Sequence, residues 1–459
     1  MCTMNIRNLI TGMGVLVLVA FSQKAIGQDA PAHAITNVTI HLANGETLSN
    51  SDLLWRDGVI VAIGNEIEIP FDAYTIDGGD SLHVFPGLID GLATWGSPEQ
   101  PRNLPNLEDP GNPPYDRAGV QPERKPVHYL NEDKGFEEAM KAGFTLVALG
   151  LDGQMLPGQI QPFNLSAEQP TEAHLFSNSI GLQGSFDTAP GGWGSGAYPS
   201  TQMGVMAYFR QLMYDASALQ EHMMYFAKHP DMPQPQHSEV LEALFPLINA
   251  EMPLYFEVDS KEEIERLFRL QDEFGFKAVL VGAKHAAPLA AELNRRDIDV
   301  LASLDVNDQP KWMKESKKAS DDSEKDETGS EGTEEDEDVI EEELSFRSKQ
   351  EEAWTNEIQN IRNLLDGGVK VGFSSDGLSA KDLQSKIMLL IDEGSLTSTE
   401  LLSMMTHSNA EILGLSNRVG DLKVGMGAHL ILTTGPLFEK GTNIYTHVSQ
   451  GVINDFMEN

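Results

Sequence analysis

Apolar and polar positions change rhythm twice along this chain. Between residues 34 and 85 they alternate or fall in short β-branched runs, AITNVTIHL, SDLLWRDGVIVAIG and AYTIDGGDSLHVF, punctuated by Asn-Gly, Asp-Gly and Gly-Gly pairs. Period-two alternation with such turn pairs predicts short strands joined by tight turns, a small β domain. From Leu88 the pattern becomes brief continuous apolar runs, FTLVALGL, PLYFEV, KAVLVGA, DIDVLASL and VKVGFSS, separated by amphipathic stretches such as SKEEIERLFRLQDEF (Ser260 to Phe274) and AAPLAAELNRR (Ala286 to Arg296). Strands buried on both faces and alternating with helices predict an α/β fold with a parallel sheet. Near the C-terminus, ILGLSNRVGDLKVGMGAHLILTT passes from helix through glycine-rich turns to a strand, so the chain is expected to re-enter the β domain in which it began.

Three segments break the rhythm. GSFDTAPGGWGSGAYPS (Gly184 to Ser200) is glycine-rich and long for a connector, either a lid over a pocket or a plain surface loop. KHPDMPQPQHS (Lys228 to Ser238) reads as a proline-rich spacer. From Asp321 to Glu343 fourteen carboxylates face one lysine, and such a run buries too little apolar surface to order itself; an insertion over 314–345 is expected to be disordered.

The formal net charge is −38, of which −13 lies in that acidic run and −25 elsewhere. A surplus of this sign repels phosphate backbones and anionic lipid, which excludes nucleic acid as a partner. Residues 1–27 carry Arg7, an apolar stretch from Leu9 to Phe21 and Ala25-Ile26-Gly27 ahead of Gln28, the pattern of an export leader cleaved near Gln28. The expected location is periplasmic or secreted, with no membrane span after processing. The only cysteine, Cys2, lies in the leader, so disulfides, thiolate metal sites and cysteine nucleophiles are all excluded from the processed chain.

Candidate chemistry centres on HVFPGLIDGLATWG (His83 to Gly96). Together with WRDGVIVAIG before it and NAEILGLSNRVGDLKVGMGAHLIL far downstream, it resembles the two ends of an amidohydrolase-superfamily protein. KAGFTLVALGLDGQMLPGQI and YPSTQMGVMAYFRQLMYDA are similar to the imidazolonepropionase-like branch of that family. The resemblance spans residues 34 to 455 and implies a TIM-like (β/α)8 barrel over 86–417, with a small β-sandwich built from 28–85 and 418–459. It also implies metal-dependent hydrolysis of carbon-nitrogen bonds in amides or cyclic amides. In that chemistry a His-x-His at the end of the first barrel strand aims both imidazoles at one metal, because residues two apart share a face. An aspartate of the last strand takes the proton from the metal-bound water.

The ligand positions are altered here. The two histidine slots in PGLIDGLAT hold Leu92 and Thr94; leucine has no donor atom, and a threonine hydroxyl is a poor transition-metal ligand. Glu257 stands for the fifth-strand histidine, His285 lies beyond the sixth strand, and Asp376 alone stands where the pattern expects it. Three readings follow. In the first, the metal centre has degenerated and the protein binds a small amide or peptide-like molecule. In the second, Glu257, His285 and Asp376 hold a single Zn, Mn or Fe ion and Asp376 is the catalytic base. In the third, the chain is the non-catalytic partner of an active amidohydrolase homologue.

Other chemistries are weaker. His41, His128, His222 and His407 have no ligand spacing, and His429 replaces an aspartate of the family's C-terminal signature. Ser374 and Ser375 lack a Gly-x-Ser-x-Gly elbow, and the glycines of 191–196 are followed by no Lys-Ser/Thr pair for a phosphate loop.

Overall fold

The computed structural model describes residues 30–79, 81–100, 104–167, 170–191, 196–314, 334–375 and 378–456. The leader, Asp376 and residues 315–333 of the acidic insertion lie outside these.

The small domain is one eight-stranded sheet drawn from both ends of the chain. Its strands are β1 (His33–His41), β2 (Thr47–Arg56), β3 (Val59–Gly64), β4 (Tyr74–Asp77) and β5 (His83–Pro86), joined later by three from the C-terminus. The β2–β3 hairpin turns on Asp57-Gly58, both at positive φ, the mirror-image turn whose twist matches that of its strands. Ile35, Ile60, Leu430 and Val448, from widely separated strands, share one buried cluster, so the sheet wraps round its own core.

Pro86-Gly87 carries the chain from that sheet into a barrel. Its staves are β6 (Leu88–Ala93), β7 (Phe144–Leu149), β8 (Gly158–Asn164), β9 (Gly181–Ser185), β10 (Leu254–Val258), β11 (Ala278–Gly282), β12 (Asp299–Ser303) and β13 (Val371–Ser374), hydrogen-bonded in that order. The chain then returns to the small sheet as β14 (Leu430–Thr433), β15 (Ile444–Ser449) and β16 (Val452–Asp455), where β14 pairs antiparallel with β5.

Alternation along each stave divides the packing. Leu146, Ala148, Tyr255, Val279, Val281 and Leu301 point inward into one cluster, while their strand neighbours Val147, Phe256, Leu280 and Val300 face the outer helices in another. The helix Lys261–Phe274 covers the outer face with Ile264, Leu267, Phe268 and Leu270, starts at a Ser260/Glu263 capping box and stops at Gly275 in the left-handed conformation. Ala410, Ile412, Leu413 and Leu415 close the barrel floor in the inner cluster.

The structure differs from a regular (β/α)8 barrel at the third stave: β8 runs antiparallel to both neighbours, and the β7–β8 connection is a turn with no helix. Gly184 and Ser185, expected in a loop, are the end of β9. A helix spans Glu334–Ile358 and is anchored towards its end by buried Trp354 and Ile358.

Candidate functional site

Parallel barrels place their ligands at the C-terminal ends of the staves. The inward positions at that end are Leu92 on β6, Gln183 and Ser185 on β9, Glu257 on β10, Val281 on β11, Ser303 on β12 and Ser374 on β13. Among the described residues, this ring contains one carboxylate and no imidazole.

Leu92 is buried and belongs to the inner cluster together with Ile89, three residues earlier, where the pairing register of β6 shifts between Asp90 and Ala93. Its Cδ1 lies 3.1 Å from where a Cβ on Gly150 would stand, and the same point is 2.3 Å from Gln183 Oε1. Gln183 is itself buried: its Oε1 accepts the Leu151 N–H at 3.0 Å and its Nε2 donates to Glu257 Oε1 at 2.7 Å. Period-two alternation explains the aim of Glu257, which shares a face with Tyr255 two residues below; the Tyr255 hydroxyl donates to Ile412 O in the floor, and burial pushes its pKa up. Leucine, amide and carboxylate therefore form a contiguous arc in which the polar members bond to each other.

Thr94 is half-buried, just past the end of β6. His285 is on an exposed turn after β11, its ring Nδ1 3.2 Å from Asp259 O. Asp376 follows Ser375 but is outside the described residues. No group of three His, Cys, Asp or Glu side chains among the described residues could hold a metal ion. Glu257, the carboxylate of this ring, is engaged by the Gln183 amide.

The last stave is tied to the first by side chains. Asp90 Oδ1 accepts from the backbone N–H of Leu92 and of Ser375, and Ser374 Oγ donates to Leu92 O at 2.8 Å. Below them the buried Asn409 amide donates to Ile89 O and Phe373 O and accepts from Phe373 N–H at 2.7, 2.9 and 2.8 Å. Gly91 and Gly372 make room for it: a Cβ on either would stand 3.1 or 2.1 Å from Asn409 Oδ1. Sequence reading missed both amides, Gln183 between glycines in GLQGS and Asn409 at the head of NAEILGL.

At the mouth of the ring, a cavity of about 280 Å³ opens between β9, β10 and β11, lined by Ser185, Asp187, Gln202, Glu257, Asp259 and Glu263 among others. Its charged side chains are all carboxylates. Glu263 is also the helix cap, accepting from Asp259 and Ser260 N–H.

Residues 333–454 match the sequence profile of the Amidohydrolase family. An amidohydrolase from Thermotoga maritima MSB8 superposes with a TM-score of 0.71 at 19% identity, over 92% of this chain and 99% of that one. A prolidase crystallised with N-methylphosphonate-L-proline gives 0.51 at 14% identity, over 92% and 99%. A 5'-deoxyadenosine deaminase of Methanobrevibacter smithii is 35% identical over 86 residues, 16% of this chain and 20% of the relative, so this chain spans about a fifth of that relative's length. The C-terminal segment thus carries the family's sequence pattern, and the described residues carry the fold of an amidohydrolase. No helix among the described residues is long and apolar enough to cross a membrane.

Proposed function

We propose that this protein is an amidohydrolase-fold binding protein whose barrel mouth takes a small amide or peptide-like molecule without two-metal hydrolysis. The observation that carries the reading is Leu92, packed into the pore where the family pattern has an imidazole, beside a Gln183–Glu257 hydrogen bond across the next arc. A mouth whose charged side chains are carboxylates suits a ligand offering N–H donors, as an amide or an α-ammonium does. Two measurements test it. Protein purified without added metal should carry sub-stoichiometric Zn, Mn and Fe by elemental analysis, and calorimetric titration with dipeptides and cyclic amides should find a binder that Glu257→Gln weakens. Stoichiometric metal, or turnover of that panel by the unmodified protein, overturns the reading.

A mononuclear hydrolase is the second reading, favoured by one feature: Glu257 projects into the pore on the arc facing the seam that Ser375 closes. Its signature is amide turnover abolished in Asp376→Asn, with stoichiometric metal lost in Glu257→Gln. A non-catalytic partnership with an active homologue would instead appear as co-purification with that homologue.

A further inference from the structure

A second hollow lies at the other end of the barrel wall. A cavity of about 490 Å³ touches Leu88, the first residue of β6, and is walled by Ala142, Leu383, Ile387, Leu437, Phe438 and Ile444. It sits where the helices Lys134–Lys141 and Ala380–Asp392 meet the loop between β14 and β15, so barrel and small sheet both contribute. The volume and apolar lining are those of a small-molecule pocket.

Three observations distinguish it from a chance gap. First, Phe438, in its wall, has φ of +70°, a conformation a bulky residue adopts only when its surroundings hold it there. Its loop is braced by Thr442 Oγ1 donating to Pro436 O and Asn443 N–H donating to Thr434 Oγ1, at 2.8 and 3.0 Å. Second, the hollow shares Glu138 and Leu383 with a slot of about 40 Å³, onto which Ser375 opens. The Ser375 residue is 3% exposed, and its hydroxyl has no hydrogen-bond partner among the described residues. A buried hydroxyl facing a space large enough for one water or one ligand hydroxyl is poised to take it. Third, the rim carries Glu138, Glu439 and Lys141, but Lys141 is already paired with Glu137. The two rim carboxylates therefore repel anionic amphiphiles and attract cationic ones.

We propose that this groove is a second binding site, separate from the barrel mouth, for a small apolar amine. The ammonium lies at the Glu138 and Glu439 rim, and the apolar body lies against Leu383, Ile387, Leu437 and Phe438. The site needs neither metal nor barrel-mouth chemistry, so it stands or falls independently of the function proposed above.

The test uses the whole protein and the neutral reporter N-phenyl-1-naphthylamine, whose emission rises in apolar surroundings. The reporter should brighten, and decylamine should displace it at a concentration about tenfold lower than decanoate does. Ala142→Trp, filling the hollow from a half-buried helix end, should weaken reporter binding about tenfold or more. Leu437→Glu, on the loop, should do the same should the tryptophan variant not fold; circular dichroism and melting establish which variants are native. In Glu138→Gln/Glu439→Gln the reporter should still bind while the preference for amine over carboxylate vanishes. Absence of brightening, binding untouched by native Ala142→Trp or Leu437→Glu, or equal displacement by decanoate would each overturn the proposal.

Discussion

Asn409 does with one side chain what a strand pairing would otherwise do. Its carboxamide bridges Ile89 O on β6 to both backbone groups of Phe373 on β13. Asn409→Ala leaves those three buried groups without partners, at roughly 1–3 kcal/mol each, so urea unfolding should reveal a loss of about 3 kcal/mol or more. A loss below about 1 kcal/mol would mean that the seam closes by other means. His429 makes a second residue-scale case. It is fully enclosed, its two ring nitrogens have no hydrogen-bond partner among the described residues, and burial, aided by His447 and Arg418, pushes its pKa down from 6.5 to about 3. Between those values the unfolded chain binds a proton that the folded chain does not. The stability from keeping His429 neutral is thus complete above pH 6.5 and lost as pH falls towards 3. Removing the titration with His429→Leu should flatten the pH slope of unfolding free energy between about pH 6 and pH 4 by up to about 1.4 kcal/mol per unit. A slope identical to that of the unmodified protein would rule out the account. The strand that carries Leu92 could be read from sequence as the apolar restart after Pro86-Gly87. Asn409 and Gln183 could not: a lone amide has no spacing signal, and the partners of Asn409 lie 36 and 320 residues away.

The elements divide in the same way. Staves β7 and β10 to β13 were legible because each lies in a brief, mostly apolar run set between polar stretches, the pattern of a strand buried on both faces. Staves β8 and β9 were not: GQIQPFN contains a proline, GLQGS contains two glycines, and reversal of β8 depends on neighbours rather than on local pattern. Charge alone does not announce the helix Glu334–Ile358, which runs into Trp354, whose buried indole donates to Asn307 O. Acidic composition argues against burial, but an exposed helical turn can be held by an anchored turn that follows it. The helix Lys261–Phe274 links element to site, because its capping glutamate also lines the mouth cavity. Ser260→Ala removes the oxygen that accepts the Glu263 N–H and should cost about 1 kcal/mol in thermal unfolding. By releasing Asp259 and Ser260 it should also weaken any mouth ligand; unchanged affinity with the expected stability loss would mean that the cap holds the helix alone.

At the scale of the molecule, the charge imbalance is the dominant electrostatic fact. Of the net −38, −25 lies outside the Asp321 to Glu343 run, so the folded body itself is strongly anionic. Close pairs such as Arg296 with Asp272 and Glu292, or Arg362 with Asp366 and Glu400, offset this locally and act over a few ångströms. The residual repulsion is long-ranged and opposes compaction. A chain of this length folds to a radius of gyration of about 23 Å. The screening length is about 30 Å at 0.01 M salt and about 8 Å at 0.15 M, so at low salt carboxylates across the molecule feel one another and at physiological salt only neighbours do. Screening should therefore remove more repulsion than attraction, and the melting temperature at pH 7.5 should rise by several degrees from about 0.01 to about 0.15 M NaCl. A fall in melting temperature would mean that the local pairs outweigh the net charge. Calcium chloride at matched ionic strength separates screening from binding. An equal rise keeps the effect electrostatic and diffuse, whereas a far larger rise would require carboxylates gathered around an ion, a different source of stability from the one argued here.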